Sequence, residues 1–283
     1  MVEWRINMKK KCCSRIVYAV ISVFLCVIVL APLLYIFSFS IKSTSDITRN
    51  TAFFRPTLDN FRAIFSDSNG YMSFTKCLKN SVLSTLISVS AALAISCLSA
   101  YALSRLNVRG KTAINYAILG MRMIPPIAIV VPLYMIWQKI GIYDSQIGII
   151  MPFIALNIPL STWLLQGFFK GLPQNLEEAA EIDGCTRFQS FYKIILPLAA
   201  PGIAATSIFS FSLSWNDLTI PMALTMTKSP TLPVLAAQVK TDDGIMWGQL
   251  GAYAVLMMVP MIIFTACVSK NLVKGMASGA VKE

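Results

Sequence analysis

Residues 16–41, 80–104, 145–169, 194–216 and 244–269 contain no Asp, Glu, Lys or Arg. An apolar run of about 18 residues or more makes a helix that crosses a hydrocarbon core of roughly 30 Å, and inside that core each backbone amide must find its partner within the segment. A sixth stretch, 112–138, carries one charge, Arg122, with Pro125 and Pro126 just after it. Counted as spanning, it makes the expected fold an all-α, polytopic membrane protein with six transmembrane helices. Composition agrees: 56% of the 283 residues are hydrophobic and 13% charged, too few charges to coat a soluble domain of that size. The cysteines, at 12, 13, 26, 77, 97, 185 and 267, show no metal-ligand spacing and read as small apolar filler. There is no His, which removes the commonest acid-base catalyst and metal ligand, so no metal site is expected.

Orientation follows from Lys and Arg, which short loops keep on the cytoplasmic side. With both termini cytoplasmic, that side holds Arg5, Lys9, Lys10, Lys11 and Arg15; Arg105, Arg109 and Lys111; Lys170, Arg187 and Lys193; and Lys270, Lys274 and Lys282. The formal charge of +11 is thus spread along membrane borders, which argues against a nucleic-acid surface. The first apolar run is longer than a signal-peptide core and lacks a small-residue cleavage site, so it is expected to be retained. Expected boundaries are a cytoplasmic N-terminal segment, 1–15; a first transmembrane helix, 16–41; an extracytoplasmic segment, 42–79; a five-helix core, 80–270; and a cytoplasmic tail, 271–283.

The stretch 173–197 has the most consistent local signals. Pro173 suits the start of a helix and Gly184 its end. Between them Leu176, Ala179 and Ala180 fall at helical spacing as a narrow, flat face, bordered by Glu177, Glu178, Glu181 and Asp183. Thr186 and Gln189 have capping-box spacing, and Phe188, Phe191, Tyr192 and Ile195 form a helical stripe that ends before Pro197. The expectation is helix, turn, helix: either a packed connection or a hook that enters a cleft on another protein.

Glu178, Ala179, Ala180, Gly184, Ile194, Leu196 and Pro197 match, in type and spacing, the EAA loop of binding-protein-dependent ABC importer permeases, EAA-x3-G-x9-I-x-LP. The segments AYALSRLNVRGK, MIPPIAIVVPLY, SWND and KNLVKGMASGAVKE resemble the maltose-type, sugar-transporting permeases. One departure is Asp217, where that subfamily resembles SWNE. The resemblance implies a type I importer permease fold in a bacterial or archaeal cell membrane. It also implies a coupling loop at 173–197, Asp183 included, that docks on a cytoplasmic ATPase. The implied partners are a second homologous permease as a heterodimer, an ABC ATPase dimer and an extracytoplasmic sugar-binding protein. The chain itself is expected to bind no cofactor and to be no enzyme. Gly110, Lys111 and Thr112 imitate the end of a phosphate-binding loop, but Arg105 stands where that loop needs Gly, so ATP belongs to the partner ATPase.

Charges at bilayer depth cost at least about 2.5 kcal/mol and normally face a cavity or a partner. Arg122 and Asp217 qualify, either as walls of a translocation path or, for Arg122, as a structural partner of Asp217 or of a second subunit. Asn157, Trp215 and Asn216 join them as candidates, because amide and aromatic groups suit sugar hydroxyls and apolar ring faces. An ion-coupled carrier would show repeated broken helices and several intramembrane carboxylates, whereas Asp217 is alone and no repeat is visible. A membrane enzyme is disfavoured by the missing His and by the lack of clustered carboxylates.

Overall fold

A computed structural model describes residues 2–51, 53–66, 72–241 and 244–279. Parts of the predicted segments 1–15, 42–79 and 271–283, namely residues 1, 52, 67–71 and 280–283, lie outside the described residues. The chain divides into two units, one of Met1–Ser66 with Val239–Leu256 and one of Asp67–Gln238 with Met257–Glu283.

In the first unit, α1 (Val2–Ser40) begins well before the predicted 16–41, because no Gly or Pro interrupts the chain before Pro32 and the basic stretch continues the helix. Its large apolar side chains from Val17 to Tyr35 are exposed, as a lipid-facing helix requires. Two short helices follow, α2 (Thr44–Thr48) and α3 (Asp59–Ser66). The last carbonyls of a helix have no partner within it. Here buried Asn60 supplies one, its amide donating to Ser40 O at 3.0 Å and Lys42 O at 2.8 Å. Gly251 passes close to the same end: a β-carbon there would lie 2.9 Å from Ser40 N. Asn60→Ala strands both carbonyls, and a loss of about 1–3 kcal/mol is expected in detergent-solubilised thermal unfolding.

The second unit starts with α4 (Phe74–Arg105), α5 (Lys111–Arg122), α6 (Pro126–Ile140) and α7 (Gln146–Gly171). Next come α8 (Asn175–Ile182), α9 (Arg187–Ser190), a π-helical turn (Phe191–Ile195) and α10 (Leu196–Leu198). Then follow α11 (Ala200–Trp215), α12 (Thr219–Leu224), α13 (Leu232–Ala237) and the helix shared by both units, α14 (Trp247–Gly279). Among the described residues the β structure is one two-residue ladder pairing Lys240 with Ile245 and Thr241 with Gly244. Among the described residues, four helices are long and apolar enough to cross a membrane, and two bent pairs bring the total to six if each pair is one span.

Both bends come from proline. α5 and α6 meet at 86°, where Pro125 (φ −63°, ψ 134°) is extended as the residue before a proline prefers, and Pro126 opens the new helix. The predicted span 112–138 is therefore two half-helices. The predicted span 194–216 is also corrected: a 72° bend at Ala199, between Pro197 and Pro201, leaves residues 194–198 on a separate arm. Its membrane arm, α11, has 16 residues, roughly 24 Å at 1.5 Å per residue.

α4 packs along α7, and α11 lies against both. Small hydroxyl residues line these seams: Ser96, Ser161, Thr162, Thr206 and Ser210 are buried, and Ser161 and Ser210 share a 2.8 Å hydrogen bond. Small side chains let helices approach where lipid supplies no hydrophobic drive between them. At one end Asp144, 8% exposed and with φ 54°, anchors the segment after α12. Its carboxylate accepts from the backbone N–H groups of Met226 (2.9 Å), Thr227 (3.0 Å), Lys228 (3.0 Å) and Ser229 (3.2 Å). Asn80 adds a bond to Pro230 O at 2.9 Å, and the Ser81 hydroxyl accepts from Leu232 N at 2.8 Å.

Candidate functional site

The stretch 173–197 is a helical hook. α8 ends in a Schellman arrangement: Cys185 N donates to Ala180 O at 2.9 Å and Gly184 N to Glu181 O at 3.1 Å, with Gly184 left-handed at φ +81°. A β-carbon on Gly184 would meet nothing within 4 Å, so its requirement is conformational and not one of space within this chain. The capping box opens α9 as the spacing predicts, Gln189 N donating to Thr186 Oγ1 at 3.3 Å and Thr186 N to Gln189 Oε1 at 2.8 Å.

The expected faces are redistributed. Ala180 turns inward at 3% exposure while Ala179 stays exposed, so the two do not form one flat face. The aromatic stripe also divides. Phe191 and Ile195 are buried against Tyr101, Leu165 and Phe169, whereas Phe188 (66% exposed) and Tyr192 (46%) remain outside with Ile182 (87%). The cause is the π turn, which lets the helix run through Pro197 to Leu198 instead of stopping before it. Ile194 and Leu196 pack against the same core, and Pro197 is exposed.

Glu177 leaves the predicted acidic border altogether. Tyr101 OH donates to its Oε1 at 2.7 Å, and Arg105 Nε lies 3.1 Å from Oε2 as an ion pair without hydrogen-bond alignment. Arg105 also donates through Nη2 to Leu172 O, the cap of α7, at 2.6 Å. The Arg105 and Glu177 side chains are only 5% and 16% exposed. Beside them opens a cleft of about 310 Å³ lined by Gln174, Glu178, Glu181, Arg187 and Ser190 among others. Glu178 and Asp183 are exposed, and Glu181 meets Arg187 at 3.4 Å on the surface. Sequence reasoning took Arg105 as a topology charge. The signal it passed over was Tyr101 four residues earlier, on the same helical face.

The intramembrane candidates separate into two groups. A cavity of about 90 Å³ brings together Arg122, Asn157 and Asp217 with Pro126, Phe153 and Ser214. Arg122 stands at the break between α5 and α6, and no ion pair joins it to Asp217 among the described residues. Asp217 instead accepts from Ile220 N at 2.8 Å, capping α12. Asn157, 2% exposed, donates to Phe153 O and Ser214 Oγ, both at 2.7 Å, and leaves its Oδ1 unpartnered. Trp215 and Asn216 lie outside this cavity's lining. Trp215 is buried, stacked on Phe211 at 5.5 Å and donating to Met257 O at 3.0 Å, because a large ring on a short helix is most stable against its neighbours. Exposed Asn216 folds back on Ser212 O at 2.9 Å.

Residues 92–278 match the family described as binding-protein-dependent transport system inner membrane component, and the chain belongs to that family. It is similar to the trehalose transport system permease protein SugB of Mycobacterium tuberculosis, 37% identical over 89% of this chain and 92% of that protein. It is likewise similar to the trehalose/maltose transport system permease protein MalG of Thermococcus litoralis, 30% identical over 97% of this chain and 99% of that one. Among solved structures, a bacterial ABC transporter involved in the import of the acidic polysaccharide alginate superposes with a TM-score of 0.73 at 24% identity, covering 90% of this chain and 95% of that chain. The ABC importer permease fold implied by the EAA resemblance is thus the fold of this chain.

Proposed function

We propose that this chain is a membrane-spanning subunit of an ATP-driven importer that passes a sugar across the cell membrane. Its hook faces the cytoplasm and docks on a separate ABC ATPase. The observation that carries the coupling role is the hook's geometry. A left-handed glycine and a capping box fix two short helices, and these leave Ile182, Phe188 and Tyr192 exposed beside the free carboxylates of Glu178 and Asp183. Exposed apolar anchors rimmed by charge suit a protein groove better than water. The sugar reading is supported by relatives named for trehalose, maltose and diacetylchitobiose. The Arg122, Asn157 and Asp217 cavity is the proposed pathway wall. A second, homologous permease completes the path, an external binding protein delivers the sugar, and ATP stays with the ATPase dimer.

The test is co-purification of the ATPase with Gly184→Val and Glu178→Lys, together with sugar uptake per ATP consumed in proteoliposomes. Gly184→Val forces a β-branched residue into φ +81°, a strain of about 1–2 kcal/mol that displaces both short helices. Glu178→Lys reverses a rim charge. Both variants are expected to insert normally and to lose the ATPase or to hydrolyse ATP without uptake. Normal binding and normal uptake in both would remove the coupling role from residues 173–197.

A further inference from the structure

α8 has little to hold it to the rest of its unit. Ala180 is its one buried residue, and a methyl group fixes neither the axial position nor the rotation of a helix. Its directional attachment is Glu177, whose two oxygens meet Tyr101 and Arg105 of α4 at 2.7 and 3.1 Å. The same guanidinium reaches the terminal carbonyl of α7 at Leu172. Arg105 therefore touches three helices at once, in a site that excludes most water. The aromatic contacts nearby, Tyr101 with Phe191 at 4.6 Å and with Phe169 at 6.2 Å, are apolar and can slide. A guanidinium hydrogen-bonded to the Leu172 carbonyl while paired with the Glu177 carboxylate cannot slide without giving up one of the two, and Lys does not reproduce its planar, several-donor shape.

We infer that Arg105, with Tyr101 and Glu177, is the joint that passes movement of α8 into α4 and α7. Arg105 is a positioning residue and touches no substrate. The inference rests on the coupling reading above and adds where within the chain the force is carried. It assigns separate tasks to neighbouring glutamates: Glu178 faces the partner, and Glu177 faces inward.

The variants are Arg105→Lys, which keeps the charge and loses the fork, and Tyr101→Phe, which removes one hydroxyl and keeps the ring in its core. Each is assembled with its permease partner and ATPase in proteoliposomes, and three quantities are read: ATPase retained, ATP hydrolysed and sugar imported. Couplings between two sites span roughly 5- to 150-fold, so Arg105→Lys is expected to lower sugar imported per ATP about tenfold with the ATPase still bound, and Tyr101→Phe less. A merely structural role would lower the amount of folded complex and leave that ratio unchanged. Unchanged ratios in both variants would overturn the joint, and so would loss of the ATPase from both, since the cluster would then shape the docking surface only. A cysteine cross-link from position 188 to the ATPase in the otherwise unaltered chain separates the two readings. If that link fails to form, the coupling reading itself falls. If it forms while the ratios stay normal, only the joint is lost.

Discussion

Replacing Asp144 with Ala is expected to destabilise the second unit by several kcal/mol. The carboxylate serves four successive backbone N–H groups, Met226 to Ser229, at a position 8% exposed to solvent. Each buried donor left without an acceptor costs about 1–3 kcal/mol, reduced wherever water can enter. Asp144→Asn keeps one acceptor oxygen and should fall between the two. The measurement is thermal unfolding in detergent, with protease cutting between 225 and 231 as the local reading. The pH dependence follows from the same geometry. Burial pushes the Asp144 carboxyl upward, but the bonds from Met226, Lys228, Thr227 and Ser229 outweigh it and hold it below its ordinary value. A carboxylate lowered in the folded state stabilises fully above its unfolded value of about 3.9 and loses that contribution as pH falls through the folded one. The unaltered chain should therefore lose stability below about pH 4 more steeply than Asp144→Asn. Equal acid sensitivity in the two would show that the carboxylate is not the group responsible.

Arg122→Ala should reduce uptake by an order of magnitude or more. Hydrogen bonds to charged groups contribute about 1.5–3 kcal/mol, which corresponds to roughly ten- to hundredfold. Arg122 borders the cavity whose lining also includes Asn157 and Asp217. A guanidinium, an amide and a carboxylate on one cavity wall suit a ligand rich in hydroxyls. If uptake, substrate affinity and expression were all unchanged, Arg122 would be a tolerated border charge and the pathway assignment would be wrong. A fall in assembly alone would make it a structural partner of another helix.

The membrane helices were legible because each charge-free run reports one physical fact, the thickness of the apolar layer. The break at Pro125 and Pro126 carried its prolines in plain view, yet 112–138 reads as one span, because proline also sits inside continuous membrane helices such as α7. The hook's turn could be read from Gly184, Thr186 and Gln189, whose roles are local. Three-dimensional partners were not. Nothing near Glu177 in the sequence distinguishes it from Glu178, yet one turns inward, partly buried against Arg105, and the other faces out. Asp144 reads as an ordinary loop acid until the chain returns more than eighty residues later to present its N–H groups. Trp215 was misplaced for the opposite reason: its type suggests a sugar platform, and only packing shows that its ring is already occupied.

The π turn at Phe191–Ile195 sets the phase between the surface arm and α11. Each residue of an α-helix advances the chain by about 100°, so the wide turn and the bend at Ala199 together decide which way Phe188 and Tyr192 look once α11 is embedded. Substitutions there alter contact by contact. An insertion or deletion of one residue between 187 and 198 would instead swing the whole exposed surface of α9 by about a quarter turn. The length of this stretch is consequently a stricter requirement than most of the side chains it carries.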